Sequence, residues 1–233
     1  MNIKIYEVGG SIRDKFLGLL NSKDRDFCVV APTFFDMREY LLSKGAKIYL
    51  ERPEYFTIRC KLDPYGDCDF VLARKDGYYT DGRRPDKVDF AQDIVDDLSR
   101  RDFCCNAMAI DVETNQLIDP FNGQNDCRNK ILKCVGNPLD RFKEDSLRIL
   151  RAMRFSIMKG FTLDMGIHTC LILNKDNVID LLGNVSKERI REELYKCFKY
   201  NTKTSLEFLD TYKNLKNQIL SVDELWFKPT FEE

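Results

Sequence analysis

The chain has 233 residues, with 37 basic and 38 acidic side chains, a single histidine and a formal net charge of -1. This length bounds it to one large domain or two small ones, and the balanced charge excludes a binder acting through bulk positive charge. No apolar run approaches ~18–20 residues, so no membrane span is predicted, and the opening MNIKIYEVGG carries no secretory pattern.

In chain order, short apolar runs predict strands at 3–8, 27–31, 46–50, 56–62 and 68–73, with helices at 11–20 and 34–43. Residues 74–92 are polar, bear Gly and Pro, and are expected to form a long loop. Beyond the Gly136-Asn137-Pro138 turn the spacing becomes helical, over 144–159, 163–174, 177–182, 187–200 and 204–212. The expected class is α+β: a mixed head over 1–140, then a helical segment that divides into 141–200 and 201–233. Nine cysteines, an odd number without any C-x-x-C pair, predict reduced thiols used as core residues in a cytoplasmic protein. One histidine, His168, leaves little material for a Cys/His metal site or a His-dependent triad.

Chemistry is suggested first by Asp24-Arg25-Asp26. Residues two apart on a strand share a face, so both carboxylates can converge, and a hard cation such as Mg²⁺ relieves their repulsion. Alone, the pair equally describes a solvated strand entrance. Upstream, Gly9-Gly10-Ser11 joins a strand to a helix, where glycines let backbone N–H groups approach a phosphate. Arg13 and Asp14 either hold a nucleotide there or pair with each other. Asp69, alternating with Asp67 on a later strand, is the candidate third acid.

These residues carry a resemblance. V-G-G-S-I-R-D-K-F-L-G at 8–18 with D-R-D at 24–26 resembles the first motif of class II tRNA nucleotidyltransferases. These are the CCA-adding enzymes and their poly(A) polymerase relatives, within the DNA polymerase beta-like superfamily. D-L-S-R-R-D-F-C-C-N-A at 97–107, D-P-F-N-G with Asp126 at 119–126, E-D-S-L-R at 144–148 with Arg151 and Arg154, and S-K-E-R-I at 186–190 with Glu193 follow in the family's order. The resemblance implies a nucleotidyltransferase head with a small mixed β-sheet flanked by helices, an all-α neck and a shortened body. It implies two Mg²⁺ ions held by Asp24 and Asp26, with Asp69 the third catalytic acid. Gly9, Gly10, Ser11, Arg13, Arg100, Arg101, Asp102, Asn106, Asp145, Arg148, Arg151 and Arg154 would bind CTP and ATP. The RNA substrate implied is the 3′ acceptor end of tRNA. Two departures, Cys104 for the usual Thr and Leu132-Lys133 for Leu-Arg, avoid the metal ligands.

The residue chemistry agrees with that implication. Asp145 and Arg148, at i and i+3, are expected side by side on one helix face. A carboxylate accepts from an exocyclic amine while a guanidinium donates to a ring nitrogen, the pattern that C and A share and U and G lack. Arg100 and Arg101 suit triphosphate oxygens, Asn106 a sugar hydroxyl, and Asp102 either orients Arg101 or holds the sugar. Glu188, Arg189 and Glu193 are expected to brace the helices.

The nearest enzymatic alternative is a poly(A) polymerase, or an enzyme adding only CC or only A. Bacterial poly(A) polymerases of this family carry a G-R-R-F-type segment near the third strand. Here that stretch reads Glu51-Arg52-Pro53-Glu54-Tyr55-Phe56, and Gly82-Arg83-Arg84-Pro85 falls later, which favours tRNA. A non-catalytic RNA-binding relative is disfavoured by the paired acids, and a dinucleotide-binding fold by the lack of G-x-G-x-x-G spacing. Few residues follow Leu194, so the chain is expected either to read mainly the acceptor end of tRNA or to recruit a second copy or a partner chain that supplies further tRNA-binding surface.

Overall fold

The apolar runs of the first half pair into a single sheet. A computed structural model describes residues 3–19, 25–76 and 88–222 of the chain. These fall into two compact units that divide between Asn129 and Lys130, ahead of the turn at 136–138.

In the first unit, β1 (Lys4–Val8) runs into α1 (Gly10–Phe16), followed by β2 (Arg25–Val30), α2 (Phe34–Ser43), β3 (Lys47–Arg52), β4 (Thr57–Leu62) and β5 (Gly66–Leu72). Next come β6 (Arg74–Asp76), β7 (Val88–Phe90), α3 (Ile94–Ser99), β8 (Ala109–Asp111), β9 (Leu117–Ile118) and α4 (Gly123–Asn129). Seven strands form a mixed sheet in the order β3-β4-β5-β2-β1-β8-β9, in which β2 and β5 are parallel and their other neighbours antiparallel. The strand predicted over 56–62 is present and alternates: Ile58, Cys60 and Leu62 are buried, while Arg59 and Lys61 are exposed. Met37 and Leu41 of α2 cover one sheet face, packing with Phe27, Val29, Ile58, Phe70 and Leu72. Phe27 and Phe70 stack at 4.9 Å. The opposite face of β2 is met by α1 and α3. Since Phe27 and Phe70 face α2, the residues before them, Asp26 and Asp69, project to the opposite side.

The loop expected over 74–92 is in part a β-hairpin, with Arg74 opposite Phe90 and Lys75 opposite Asp89. Main-chain pairing needs no apolar alternation, which is why these polar residues gave no strand signal. Phe90 is anchored edge-on to Phe56 at 5.3 Å.

The second unit holds β10 (Ile131–Leu132), α5 (Pro138–Glu144), α6 (Leu147–Lys159), β11 (Thr162–Leu163), α7 (Met165–Leu173), α8 (Lys187–Tyr200), α9 (Thr202–Thr211) and α10 (Lys213–Ser221). Asn137 caps α5 by accepting from the Leu139 N–H, with Pro138 at the first helical position. Leu150, Met153 and Ile157 of α6 are buried, as are Ile190, Leu194 and Cys197 of α8, and the two helices pack together.

Three expectations for this half are corrected. It is not wholly α-helical, because β10 and β11 form a short parallel pair. The helix expected over 144–159 is two helices, broken at Asp145, whose backbone is extended. The helix expected over 177–182 is replaced by two 3-10 turns, because Asn174, Asp176 and Asn177 adopt positive φ, a region that Asn and Asp tolerate. Of the expected body at 201–233, residues 223–233 lie outside the described residues.

All nine cysteines are free and buried, as expected of core thiols. Among the described residues no helix is long and apolar enough to cross a membrane.

Candidate active site

Strand β2 brings the catalytic candidate into the middle of the sheet. Asp26 lies opposite Val8 of β1 on one side and opposite Asp69 of β5 on the other. Both aspartates sit on the sheet face away from α2, so the third acid is brought to the same side as Asp26. Asp24, the other member of the pair, lies outside the described residues.

Gly9 follows β1 and stands at the head of α1, with φ 79° and ψ -138°. A Cβ placed there would lie 3.5 Å from Asp26 Oδ2 and 3.9 Å from Arg101 Nη1, which locates this backbone beside both groups. Ser11 is buried, and its hydroxyl donates to the Val8 carbonyl at 3.4 Å, holding the strand-to-helix turn. Glu7, buried on β1, pairs with Arg25 and with Lys15. Burial alone pushes the Glu7 carboxyl up, but hydrogen bonds from Arg25 and Ser11 and the nearby cationic charges outweigh it, so it lies below its ordinary range.

Sequence reasoning gave Asp97 no role of its own, yet it organises the arginines. It is almost wholly buried. Its Oδ1 accepts from Arg100 Nη2 at 2.6 Å and its Oδ2 from Arg101 Nη2 at 2.9 Å, and the Arg74 N–H adds a bond at 3.4 Å. Burial pushes this carboxyl up, and the two guanidiniums more than reverse it, leaving the net shift downward. The signal was visible in the spacing, because Arg100 and Arg101 stand three and four residues after Asp97.

Asp102 is not the partner of Arg101. It accepts from the Phe103 N–H at 2.8 Å and from Asn106 Nδ2 at 3.0 Å. Asn106 Oδ1 in turn accepts from Arg13 Nη1 at 2.8 Å, and Arg13 Nε donates to Asp14 at 2.9 Å. Asn106 is therefore a buried link between Arg13 and Asp102, and Arg13 and Asp14 do pair. Gly123 of the D-P-F-N-G stretch packs α4 against the Cys104–Asn106 turn, while Asp119 caps α4 through the N–H groups of Gly123 and Gln124.

Asp69 is held more firmly than the sequence suggested. Arg59, its cross-strand neighbour on β4, donates Nε to Oδ1 and Nη2 to Oδ2, both at 2.7 Å. A cavity of about 490 Å³ opens between Asp26, Asp69, Arg59, Asp67 and Tyr49, and the Tyr49 hydroxyl donates to Asp67 at 2.9 Å. The acids on this face are oxygen donors, the chemistry a hard divalent ion takes. Among the described residues no group of three or more His, Cys, Asp or Glu side chains forms a ready metal cluster.

In the second unit, Asp145 and Arg148 do not share a helix. Asp145 precedes α6, where its Oδ1 accepts from the Leu147 N–H at 3.1 Å and its Oδ2 from Arg189 at 3.4 Å. Arg148 is nearly buried and donates to Glu144 at 2.9 Å and to the Arg141 carbonyl at 3.3 Å. Arg154 pairs with the buried Glu193 at 2.6 Å, and the Arg151 and Arg154 guanidiniums both lie over the Phe155 ring. Arg189 and Glu193 are braces, as expected.

Residues 5–133 match the family model of the poly(A) polymerase head domain. The chain belongs to this family. Among relatives of this head-domain protein, the CCA-adding enzyme of Lactobacillus helveticus is 35% identical over 97% of this chain and 56% of its own length. That of Lactococcus lactis subsp. lactis is 38% identical over 79% of this chain and 44% of its own. The Bacillus stearothermophilus CCA-adding enzyme in complex with CTP aligns with a TM-score of 0.78 at 28% identity, covering 96% of this chain and 51% of that one. A tRNA nucleotidyltransferase complexed with a primer tRNA and an incoming ATP analog aligns with a TM-score of 0.74 at 29% identity, covering 93% and 59%. The α+β class and the mixed sheet flanked by helices are those of these structures. The chain spans about half the length of the curated relatives it matches.

Proposed function

We propose that this chain is a template-independent nucleotidyltransferase that adds C and A to the 3′ end of tRNA, using CTP and ATP and releasing pyrophosphate. The observation that carries the reading is Asp26, an exposed carboxylate beside the Gly9 turn and Arg101 at the edge of a cavity. The relatives named as CCA-adding enzymes support the choice of substrate.

Asp24 and Asp26 would hold two Mg²⁺ ions, which supply neutralisation of triphosphate charge and activation of the RNA 3′-hydroxyl when bound. The Gly9-Gly10-Ser11 backbone admits the triphosphate closely, and Asp97 fixes the direction of the Arg100 and Arg101 guanidiniums that bind it. Asn106, tied to Arg13 and Asp102, sets the rim where the ribose would sit. Asp145 and Arg148 supply the acceptor and donor that match C and A, with Arg189 and Glu144 holding their side chains in place. Arg151 adds positive charge along the same helix, while Arg154, held by Glu193, braces it.

Extension of tRNAs ending just before the CCA, in C or in CC, with each nucleoside triphosphate supplied alone and with CTP and ATP together, tests the reading. CTP and ATP should be incorporated up to CCA and no further, UTP and GTP should be refused, and Asp26→Ala should abolish incorporation. A long homopolymer from ATP alone would make the chain a poly(A) polymerase instead, and full activity in Asp26→Ala would overturn the site.

A further inference from the structure

A third carboxylate in register with Asp26 would ordinarily be assigned to the metal. Arg59 argues otherwise. A guanidinium engaging both oxygens of one carboxylate through two parallel N–H bonds is a strong form of ion pair, and it occupies the syn lone pair of each oxygen, leaving only the less basic anti pairs. Both bonds here are 2.7 Å, and the pair is only half shielded, with Asp69 28% and Arg59 59% exposed. An exposed pair of loose geometry would yield readily to a divalent ion; the fork geometry and the β-sheet register that places Arg59 opposite Asp69 make this one a fixed feature. Neighbouring Asp67 is likewise engaged, by the Tyr49 hydroxyl.

We propose that Arg59 converts Asp69 from a metal ligand into a charge-balanced brace, so that of the two acids in register on this face only Asp26 touches the ion. The inference rests on the nucleotidyltransferase reading for its metal, but it concerns which of this chain's acids touch the ion. Arg59 is then a positioning residue: it holds Asp69 off the ion and lowers the negative charge around Asp26.

Titration of the full chain with Mn²⁺ alone, following free Mn²⁺ by electron paramagnetic resonance, tests this without relying on turnover. Asp69→Asn, which leaves the Arg59 guanidinium uncompensated, should weaken Mn²⁺ binding by about three- to tenfold, through charge alone. Arg59→Gln should release Asp69 and tighten Mn²⁺ binding by about three- to tenfold, since it unmasks a unit charge near the ion. The double variant Arg59→Gln with Asp69→Asn should return to the wild-type value, an outcome that a general loosening of the fold would not produce. A tenfold or greater loss of Mn²⁺ affinity in the double variant, where no charge is left uncompensated, or unchanged affinity in Arg59→Gln, would overturn the assignment of Arg59. Equal Mn²⁺ binding by wild type and Asp26→Asn would instead overturn the metal reading of the whole face.

Discussion

Two glycines of the head unit show how single residues set the site, for different physical reasons. Gly9 has φ 79° and ψ -138°, a backbone state that residues with a Cβ scarcely enter. Gly123 has no such need of its dihedrals. Its constraint is space, because a Cβ there would lie 2.1 Å from the Cys104 carbonyl oxygen. A flexible side chain could move aside, but main chain of a buried turn cannot do so cheaply. Gly9→Ala should lose about 1–3 kcal/mol of stability through strain. Gly123→Ala should lose more than about 2 kcal/mol, since α4 has to leave the turn. Urea denaturation of both variants measures this, and a Gly123→Ala midpoint equal to wild type would refute the close packing. Motif glycines were legible in the sequence as positions; their reasons were not, because spacing does not distinguish a dihedral requirement from a steric one.

At the scale of elements, α3 and the residues after it act as one electrostatic unit centred on Asp97. With its carboxyl held below the ordinary range, Asp97 contributes stability that is complete above its unfolded value and disappears as pH falls through the depressed folded value. Wild type should therefore keep this contribution down to about pH 4 and lose it below. Asp97→Asn leaves two guanidiniums without their carboxylate and should cost about 3 kcal/mol at pH 7, with a smaller difference from wild type at pH 3. Chemical denaturation at the two pH values checks this, and an equal difference at both would refute the linkage. The elements themselves were read well wherever periodicity was strong: α2 and α8 begin and end where apolar spacing places them. Periodicity failed where backbone chemistry decides. Asp145 breaks a helical pattern by bonding to the Leu147 N–H, Asn174 and its neighbours turn left-handed, and the hairpin of β6 and β7 forms through main-chain bonds with Phe90 as its anchor on Phe56. The site suffered the same limit. Asp26 and Asp69 were recognisable as alternating acids, but the Arg59 fork on Asp69 depends on the register of β4 with β5, which local sequence does not encode.

At the scale of the whole molecule, the net charge of -1 is an average that hides a gradient. Residues 1–140 carry 21 basic and 24 acidic side chains, whereas 141–199 carry 12 and 8. Under the proposed function, an acidic excess in the head suits the binding of divalent cations, which would in turn offset the charge of a triphosphate. A helical segment with a basic excess suits an RNA backbone. At least six of these twelve cations are engaged internally, however: Arg141 and Arg148 by Glu144, Lys143 by Asp176, Arg154 and Lys196 by Glu193, and Arg189 by Asp145. Fewer positive charges than the count suggests are therefore available to displace counterions from RNA. If about 3–5 phosphates are neutralised, the logarithm of the association constant should fall against the logarithm of salt with a slope of about -2 to -4, given roughly 0.7 ion released per single-strand contact. Fluorescence anisotropy of a labelled tRNA ending in CC, titrated in KCl from ~50 to ~200 mM, measures that slope within the range where such release dominates. A slope near zero would remove RNA as the partner of the basic segment. A slope near -8 would mean that the internal ion pairs open on binding, and Glu193→Gln, which releases Arg154, would then leave the slope unchanged instead of steepening it.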